Sequence, residues 1–509
     1  MSASREVASA SASTIATLFA AQVRHAPERI ALSDGMRELS YRALADRAAR
    51  LAGALASRGV EAGDRIAIVS ENRAEYLELF LAAAELGAIA ACQNVRLAAP
   101  ELAHCLGLVE PRVTLVSPRF EPLLAATGRP EAAGALVFGG AYESALAGAE
   151  LRAIGSSREV DPEAALLILY TSGTTGLPKG AVISHRAQIV RNLVVRAEFG
   201  VAPEDTFAAW SPLYHMGAAD CAIGALISGG KVIVIDGFAR ERLLGVVATE
   251  SLGWLLLMPG MVTEFAALLE ARAVTPKSVR LCGVMADLVP PAEIARITRL
   301  LNAPYANTFG ATETGCPPCS SSRIPIGVVP SRLSKQKSPF CEVRLVGADD
   351  RDVADGSPGE LCIRGPTLFS GYYRADEVNA HDFRGGWFHM GDVFVKNPDG
   401  SFDFVDRVKY LIKSGGENVY PAEIERVILQ DPRVAEAGVV RRRDARWGEV
   451  PVAFVARKDE ALTEADVRQR CRAELAGYKQ PKEIRFIAFE EFPRSASGKI
   501  QRHELERLV

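Results

Sequence analysis

Short, largely apolar runs at 166–170, 232–235, 255–257 and 279–281 recur along this chain, each separated from the next by a helix-length, Ala-rich segment. Runs this short and continuous fit strands buried on both faces, and their alternation with helices predicts layered, largely parallel α/β sheets. The alternation starts early. From Ile15 onward Leu18, Phe19 and Val23 recur at helical spacing, and 40–51 reads as a capped helix leading to a strand at 65–69. The most apolar window, 77–92, carries Glu78 and Glu85 and falls short of the roughly 20 residues a bilayer helix needs, so a buried helix is expected there. After Arg323 the texture changes to alternating strands at 342–346, 360–364 and 387–396. Asn397-Pro-Asp-Gly400 makes a hairpin turn before 402–405.

The 509 residues suggest about three folding units at roughly 150 residues each. The Ser/Ala-rich start, 1–14, lacks a basic segment leading into an apolar stretch and is expected to be a disordered leader. A large N-terminal domain follows over 15–405, its β-rich subdomain at about 323–405. The charged strip Asp406-Arg-Val-Lys409 marks a boundary, with a linker at 406–411 and a small α+β domain over 412–509. A formal net charge of −3 supplies no general drive towards nucleic acid or anionic membrane, so anion binding must be local. Nine cysteines without a framework favour a reducing compartment, and the cytoplasm fits best. Cys316-Pro-Pro-Cys319 has no second pair at zinc-ligand spacing and reads as a loop, metal binding being the alternative.

Local anion binding has a candidate. Tyr170-Thr-Ser-Gly-Thr-Thr-Gly-Leu-Pro-Lys-Gly180 follows a predicted buried strand and precedes a helical stretch. Backbone N–H groups there can close around phosphate oxygens. Gly173, Gly176 and Gly180 permit close approach, Thr171, Ser172, Thr174 and Thr175 add hydroxyl donors, and Lys179 adds a positive charge. The spacing is not a strict Walker A, and an ordinary Gly/Thr loop is the alternative.

Further segments follow in order: Thr308-Phe-Gly-Ala-Thr-Glu-Thr314, Gly386-Trp-Phe-His-Met-Gly-Asp392, Asp406-Arg-Val-Lys409, Gly415-Gly-Glu-Asn-Val-Tyr-Pro-Ala-Glu-Ile-Glu425 and Ser497-Gly-Lys499. With the Thr/Gly segment, they resemble the adenylate-forming superfamily of acyl-CoA synthetases, aryl-CoA ligases, peptide-synthetase adenylation domains and luciferases. The likeness runs from about Ile15 to the C-terminus. It implies an acyl-CoA synthetase that converts a carboxylic acid and ATP to acyl-AMP and pyrophosphate, then passes the acyl group to coenzyme A. The implied fold is α/β, a large N-terminal domain of layered sheets plus a β-rich subdomain, with a small mobile α+β C-terminal domain.

The resemblance also implies roles. Attack of a carboxylate on the α-phosphorus builds negative charge that needs a cation and a metal in place. Lys499, Thr174 and Lys179 are the implied groups beside Glu313, which would hold Mg²⁺. Thr312 would touch phosphate, and Phe309 and Gly310 would line the adenine. Asp392 and Arg407 would contact the ribose, as a carboxylate does in dinucleotide folds. Each has a plainer alternative: a buried salt-bridged Glu313, a turn-capping Asp392, a solvated Lys499. The small domain would rotate about Lys409, taking Lys499 out and bringing Gly415 and Gly416 in to line the CoA channel. Many members have Asp at the position of Lys409, though Lys occurs there too. For CoA itself Arg96, Lys482, Lys479 and the 441–443 arginine run are candidates, with Trp447 and Tyr478 as stacking surfaces.

By the same resemblance the acyl pocket is built from 210–217, 283–286 and the surroundings of Thr308. It includes Trp210, Tyr214, His215, Met216, Gly283, Val284 and Ala286. No Arg or Lys sits within those stretches, which argues against a dicarboxylic substrate, because a buried unpaired charge is costly. Bulky Trp210, Tyr214 and Met216 point to an aromatic or medium-length aliphatic acid rather than a very long chain. His215 either flanks the substrate carboxylate or packs as a neutral core histidine. One stretch departs from the family: relatives run through a Gly-rich Val-Gly-x-Pro segment, whereas here Val-Val-Pro-Ser-Arg-Leu-Ser-Lys-Gln-Lys occupies 328–337 before Phe340, which bears on the pocket rim. The expected partners are therefore a small carboxylic acid, ATP, Mg²⁺ and CoA, without nucleic acid or a membrane span, and with a homodimer as a possible assembly. A carrier-protein thiol or oxygen as acceptor, and a catalytically silent homologue, are the alternatives.

Overall fold

The computed structural model describes residues 10–157, 160–172, 177–414, 417–494 and 500–509. Contacts separate it into two compact units, Met1–Glu342 with Arg364–Gly386, and Val343–Ile363 with Trp387–Val509. By contact the β-rich stretch is divided: 343–363 and 387–405 group with the C-terminal residues, and 323–342 and 364–386 with what precedes them.

The first unit contains a six-stranded sheet ordered Leu136–Val137, Val113–Val116, Arg65–Val69, Ile89–Cys92, Ala165–Ser172 and Pro178–Ser184. Its first five strands are parallel and the last pair is antiparallel. Leu166 to Leu169 are fully or almost fully buried, as an unbroken apolar run in a parallel sheet should be. A second sheet runs Glu38–Ser40, Ile30–Ser33, Val232–Val234, Phe207–Ala209. A third runs Ser251–Leu255, Ser278–Cys282, Tyr305–Ala306, Arg323–Ile324. The apolar run at 255–257 therefore marks the end of a strand rather than its body.

Helix placement follows local chemistry. Ser40 caps Tyr41–Ala56 by accepting from the Ala43 N–H, and Thr14 and Thr17 form a capping box for Ile15–His25. The window at 77–92 is not one helix. Ala74–Leu86 is helical, Gly87 ends it at φ 65°, and Ile89–Cys92 is a strand. A left-handed glycine stops a helix at little cost, and this one turns the chain into the sheet. Burial of the helix's carboxylates is matched by partners: Glu78 pairs with Arg47 and accepts from Tyr142, and Glu85 accepts from Gly155, Ser156 and Ser157.

The second unit carries the sheet Glu342–Val346, Pro358–Arg364, Phe388–Lys396, Phe402–Arg407, with the predicted turn closed by Gly400 N–H to the Asn397 carbonyl. It also carries a five-stranded sheet built on the long hairpin Val434–Asp444 and Gly448–Arg457, packed against Pro421–Leu429 and Glu464–Glu474. No helix among the described residues is long and apolar enough to cross a membrane.

Candidate active site

The Thr/Gly segment joins two strands, not a strand and a helix. Thr171 pairs with Lys179 and Ser172 with Pro178 in an antiparallel ladder, and the helix His185–Phe199 begins only after Ser184. The helical stretch expected after the segment is present, but the strand Pro178–Ser184 comes between the two. Ala181, Val182 and Ile183 are apolar and pair along the sheet edge, which extends the strand before Ser184 can cap a helix. Any phosphate bound here would meet no helix N-terminus at Lys179–Ser184, which leaves amides and hydroxyls as the donors. Gly173, Thr174, Thr175 and Gly176 lie outside the described residues, as does the Ser172 side chain.

Chain after Gly365 runs back along the Pro178–Ser184 strand. Val182 N–H donates to the Gly371 carbonyl, Ser370 N–H to Val182, and Tyr373 N–H to Gly180. This register delivers Tyr372, which the sequence reading did not single out. Its hydroxyl donates to Glu313 Oε1 at 2.8 Å, and Lys179 Nζ stands 4.6 Å from the centre of its ring and 4.0 Å from Asp382 Oδ2. Lys179 over the ring and Glu313 at the hydroxyl thus share one buried tyrosine. No local periodicity marks Tyr372, although Gly371, at φ 94°, and Arg374, at φ 50°, give it an unusual backbone on either side.

Glu313 is buried, and a second support lies behind it. Arg191, also buried, donates to the carbonyls of Thr312 at 3.0 Å and Thr367 at 2.9 Å and pairs with Asp220 at 3.2 Å. Burial pushes the Asp220 carboxyl up, and Arg191 opposes it. Phe309 and Gly310 lie in the strand Phe309–Ala311, which pairs with Gly315–Cys319. A Cβ on Gly310 would come within 2.0 Å of the Gly315 carbonyl oxygen, so this tight hairpin requires glycine. Cys316 and Cys319 are therefore strand residues, not a loop. Among the described residues no group of three or more His, Cys, Asp or Glu is arranged to hold a metal ion. A magnesium ion bound through one carboxylate and substrate phosphates needs no such group, and the Glu313 carboxylate supplies a hard oxygen donor.

The segments expected to wall the acyl pocket are held by long-range hydrogen bonds. Asn72 donates to the carbonyls of Ala209, Trp210, Ser211 and Ile235 at 2.8–3.3 Å and accepts from Leu213 N–H at 2.8 Å. Trp210 is buried, its Nε1 donating to Leu256 at 2.8 Å. Tyr214 is buried with its ring 4.7 Å from His215. Burial raises its phenol's pKa, with the Arg96 charge opposing. His215 precedes the helix Met216–Ile227. Gly283, at φ 72°, lies against the Tyr305 ring, and its carbonyl accepts from Trp254 Nε1 at 3.0 Å. Tyr305 donates to Val284 at 3.0 Å, while Ala286 and Thr308 are buried.

In the second unit Asp392 and Arg407 sit opposite each other on adjacent strands, Arg407 Nε donating to Asp392 Oδ1 at 3.0 Å. Asp392 is buried. From the neighbouring strand Glu360 accepts from Gly391 N–H at 3.0 Å and contacts His389 Nδ1 at 3.1 Å, which steadies the approach to Asp392. Asp406 is buried, accepting from the Arg407 and Ala422 N–H groups. Burial raises its pKa against the Arg502 charge.

Lys409 falls in the short turn Val408–Tyr410, its side chain outside the described residues, as are Gly415, Gly416 and Lys499. Trp447 is exposed with Arg446 4.7 Å above its ring, and Tyr478 is exposed with Lys479 5.8 Å above its ring. Lys479 itself pairs with Glu423 at 2.8 Å, while Lys482 N–H donates to Pro451 at 2.9 Å. Arg441 and Arg442 are engaged by Glu506 and Glu483, so the basic run is largely neutralised in place.

Comparison with known proteins decides the family. Residues 19–373 match the AMP-binding enzyme model, and residues 423–499 match that of the AMP-binding enzyme C-terminal domain. The chain belongs to the AMP-binding enzymes. Within that family it is an AMP-forming acid–CoA ligase, a mixed α/β protein with a large N-terminal and a small C-terminal domain. This AMP-binding enzyme is 33% identical to an indoleacetate–CoA ligase of Aromatoleum aromaticum over 499 residues, covering 96% of this chain and 97% of the relative. It is also 33% identical to a feruloyl-CoA synthase of an Amycolatopsis species, with coverage of 96% and 97%. Among solved structures, the o-succinylbenzoate CoA synthetase of Bacillus subtilis, in complex with its acyl-adenylate intermediate, superimposes with a TM-score of 0.83 at 26% identity. That match covers 96% of this chain and 98% of the other.

Proposed function

We propose that this enzyme activates an aromatic or medium-chain monocarboxylic acid and transfers it to coenzyme A. The observation that carries the reading is the link from Lys179 across Tyr372 to Glu313, which couples the Thr/Gly segment to the Thr308–Thr314 motif. A carboxylate oxygen of the acid attacks the α-phosphorus of ATP, the bond to the bridging oxygen breaks, and pyrophosphate leaves. Lys179 and Lys499, with loop hydroxyls including Thr174, would balance the growing negative charge. Glu313 would hold the Mg²⁺ that supplies Lewis-acid charge on the phosphates. Asp392, paired with Arg407, would accept from the ribose hydroxyls. In the second step the CoA sulfur attacks the acyl carbon, its proton goes to solvent, and AMP leaves.

The domain assignment belongs to the same proposal. A boundary at 406–411 with Lys409 as pivot would let Lys499 leave and Gly415 and Gly416 enter between the steps. Trp447, Tyr478, Lys482 and Arg96 remain the CoA candidates, Trp447 and Tyr478 because their exposed rings already carry cations. An aromatic acid is favoured by the buried aromatic lining from Trp210 and Tyr214 and by the relatives that act on indoleacetate and ferulate. A cytoplasmic site of action suits the unpaired cysteines and an ATP-dependent reaction.

The test is incubation with ATP, Mg²⁺ and a panel of acids, with and without CoA. Pyrophosphate release followed by CoA-dependent thioester is the expected result. Adenylate that forms while CoA stays inert would point to a carrier-protein acceptor, and no adenylate with any acid to a silent homologue.

A further inference from the structure

The stretch at 328–337 that departs from the family contributes a buried cation. The Lys335 side chain is fully buried, and its Nζ donates to Asp287 Oδ2, to Asn307 Oδ1 at 2.7 Å and to the Leu333 carbonyl at 3.5 Å. These three acceptors use all three ammonium donors. Asp287 directly follows Ala286, and Asn307 directly precedes Thr308. Lys335 therefore ties together the far ends of two of the segments assigned to the acyl pocket. Asn307 reinforces the tie, donating from Nδ2 to Leu333 at 3.0 Å and Ser334 at 3.2 Å. No Arg or Lys lies within those segments, but Lys335 stands beside two of them, its charge balanced by Asp287.

The two members of the ion pair are not equally accessible. Lys335 is closed off, whereas the Asp287 side chain is 33% exposed and its Oδ1 makes no hydrogen bond among the described residues. We propose that the Lys335–Asp287 pair is a specificity element, holding Asp287 in place as an acceptor that selects acids with a hydrogen-bond donor, such as a phenol O–H or ring N–H, at the end remote from the carboxylate. This rests on the acyl-pocket assignment above. Lys335 acts as a positioning residue, because its own donors are spent. A second carboxylate would meet the exposed Asp287 oxygen first and be repelled, so dicarboxylic acids are disfavoured on different grounds from those the sequence offered. A purely hydrocarbon end would leave that oxygen desolvated without a partner.

The test is a kcat/KM profile for pyrophosphate release with phenolic, ring N–H, unsubstituted aryl and dicarboxylic acids matched in length. The full-length chain is compared with Asp287→Leu, Lys335→Met and the double variant, which removes the pair without leaving a buried charge alone. The wild type should prefer donor-bearing acids by about tenfold or more over unsubstituted ones. The double variant should lose that preference with KM for ATP unchanged within about twofold, as expected when only acid recognition is altered. Asp287→Asn, which keeps an acceptor, should retain part of it. An unchanged ranking in a folded double variant, or equal movement of the acid and ATP KM values, would overturn the proposal. A wild type inactive with every acid would instead defeat the underlying functional reading, and is seen before any variant is made.

Discussion

The Tyr372 hydroxyl donates to Glu313 Oε1 at 2.8 Å, across a separation of 59 residues in sequence. It fixes one oxygen of the carboxylate proposed to hold magnesium and leaves the other to a cation. A hydrogen bond to a charged group is worth about 1.5–3 kcal/mol. Tyr372→Phe should therefore lower acid-dependent ATP–pyrophosphate exchange by about tenfold to a hundredfold at limiting Mg²⁺, by the usual tenfold per 1.4 kcal/mol. Excess Mg²⁺ should recover part of the loss. An exchange rate and Mg²⁺ dependence equal to wild type would show that the hydroxyl does not orient Glu313.

Lys499 is assigned to the first half-reaction only. Lys499→Ala should reduce acyl-adenylate formation on the order of a hundredfold or more, in line with removing a charge-stabilising group. Thioester formation from supplied acyl-adenylate and CoA should stay near the wild-type rate. Single-turnover assays of the two steps separate these outcomes, and equal losses in both would contradict the assignment.

Asn72 contacts the 209–213 stretch at the Ala209, Trp210 and Ser211 carbonyls and the Leu213 N–H and also reaches the Ile235 carbonyl, so truncation strips partners from several buried groups at once. Asn72→Ala should cost about 2–4 kcal/mol of unfolding free energy. It should also raise KM for the acid more than KM for ATP, because Trp210 to Leu213 lose their anchor. Denaturant titration and steady-state kinetics measure the two effects, and equal shifts in both KM values would separate the clamp from acid binding.

His185 supplies a pH prediction. It is buried, accepts from Ile15 N–H at 3.2 Å, and burial lowers its pKa from 6.5 to about 4. The folded value lies below the unfolded one, so the neutral form is favoured by folding. Its contribution, on the order of 3 kcal/mol, is complete above about pH 6.5 and is lost as pH falls towards 4. His185→Gln keeps a hydrogen-bond acceptor without a titration, and should flatten the fall in Tm between pH 6.5 and 4 relative to wild type. Parallel Tm profiles would exclude His185 as a source of that fall.

The α/β alternation, the capped helices at Ile15 and Tyr41, the hairpin at Asn397 and the motif residues were legible because each is written in a local pattern of residue type and spacing. Local reading failed where local signals conflict. The strand Pro178–Ser184 has no expectation from the sequence, and 77–92 reads as one helix, because short apolar stretches do not reveal whether a sheet edge or a helix will receive them. Sequence alone supplied the family's motifs in order and with them the candidates for its chemistry: a Thr/Gly segment, Glu313, Asp392 and Lys499. Tertiary structure decided which groups serve them, setting Tyr372 against Glu313, Arg191 behind Thr312, Asn72 beneath Trp210 and Lys335 between Asp287 and Asn307. These partners lie far apart along the chain. They are chosen by strand register and by the need to satisfy buried polar groups, which exist only once the sheets have packed.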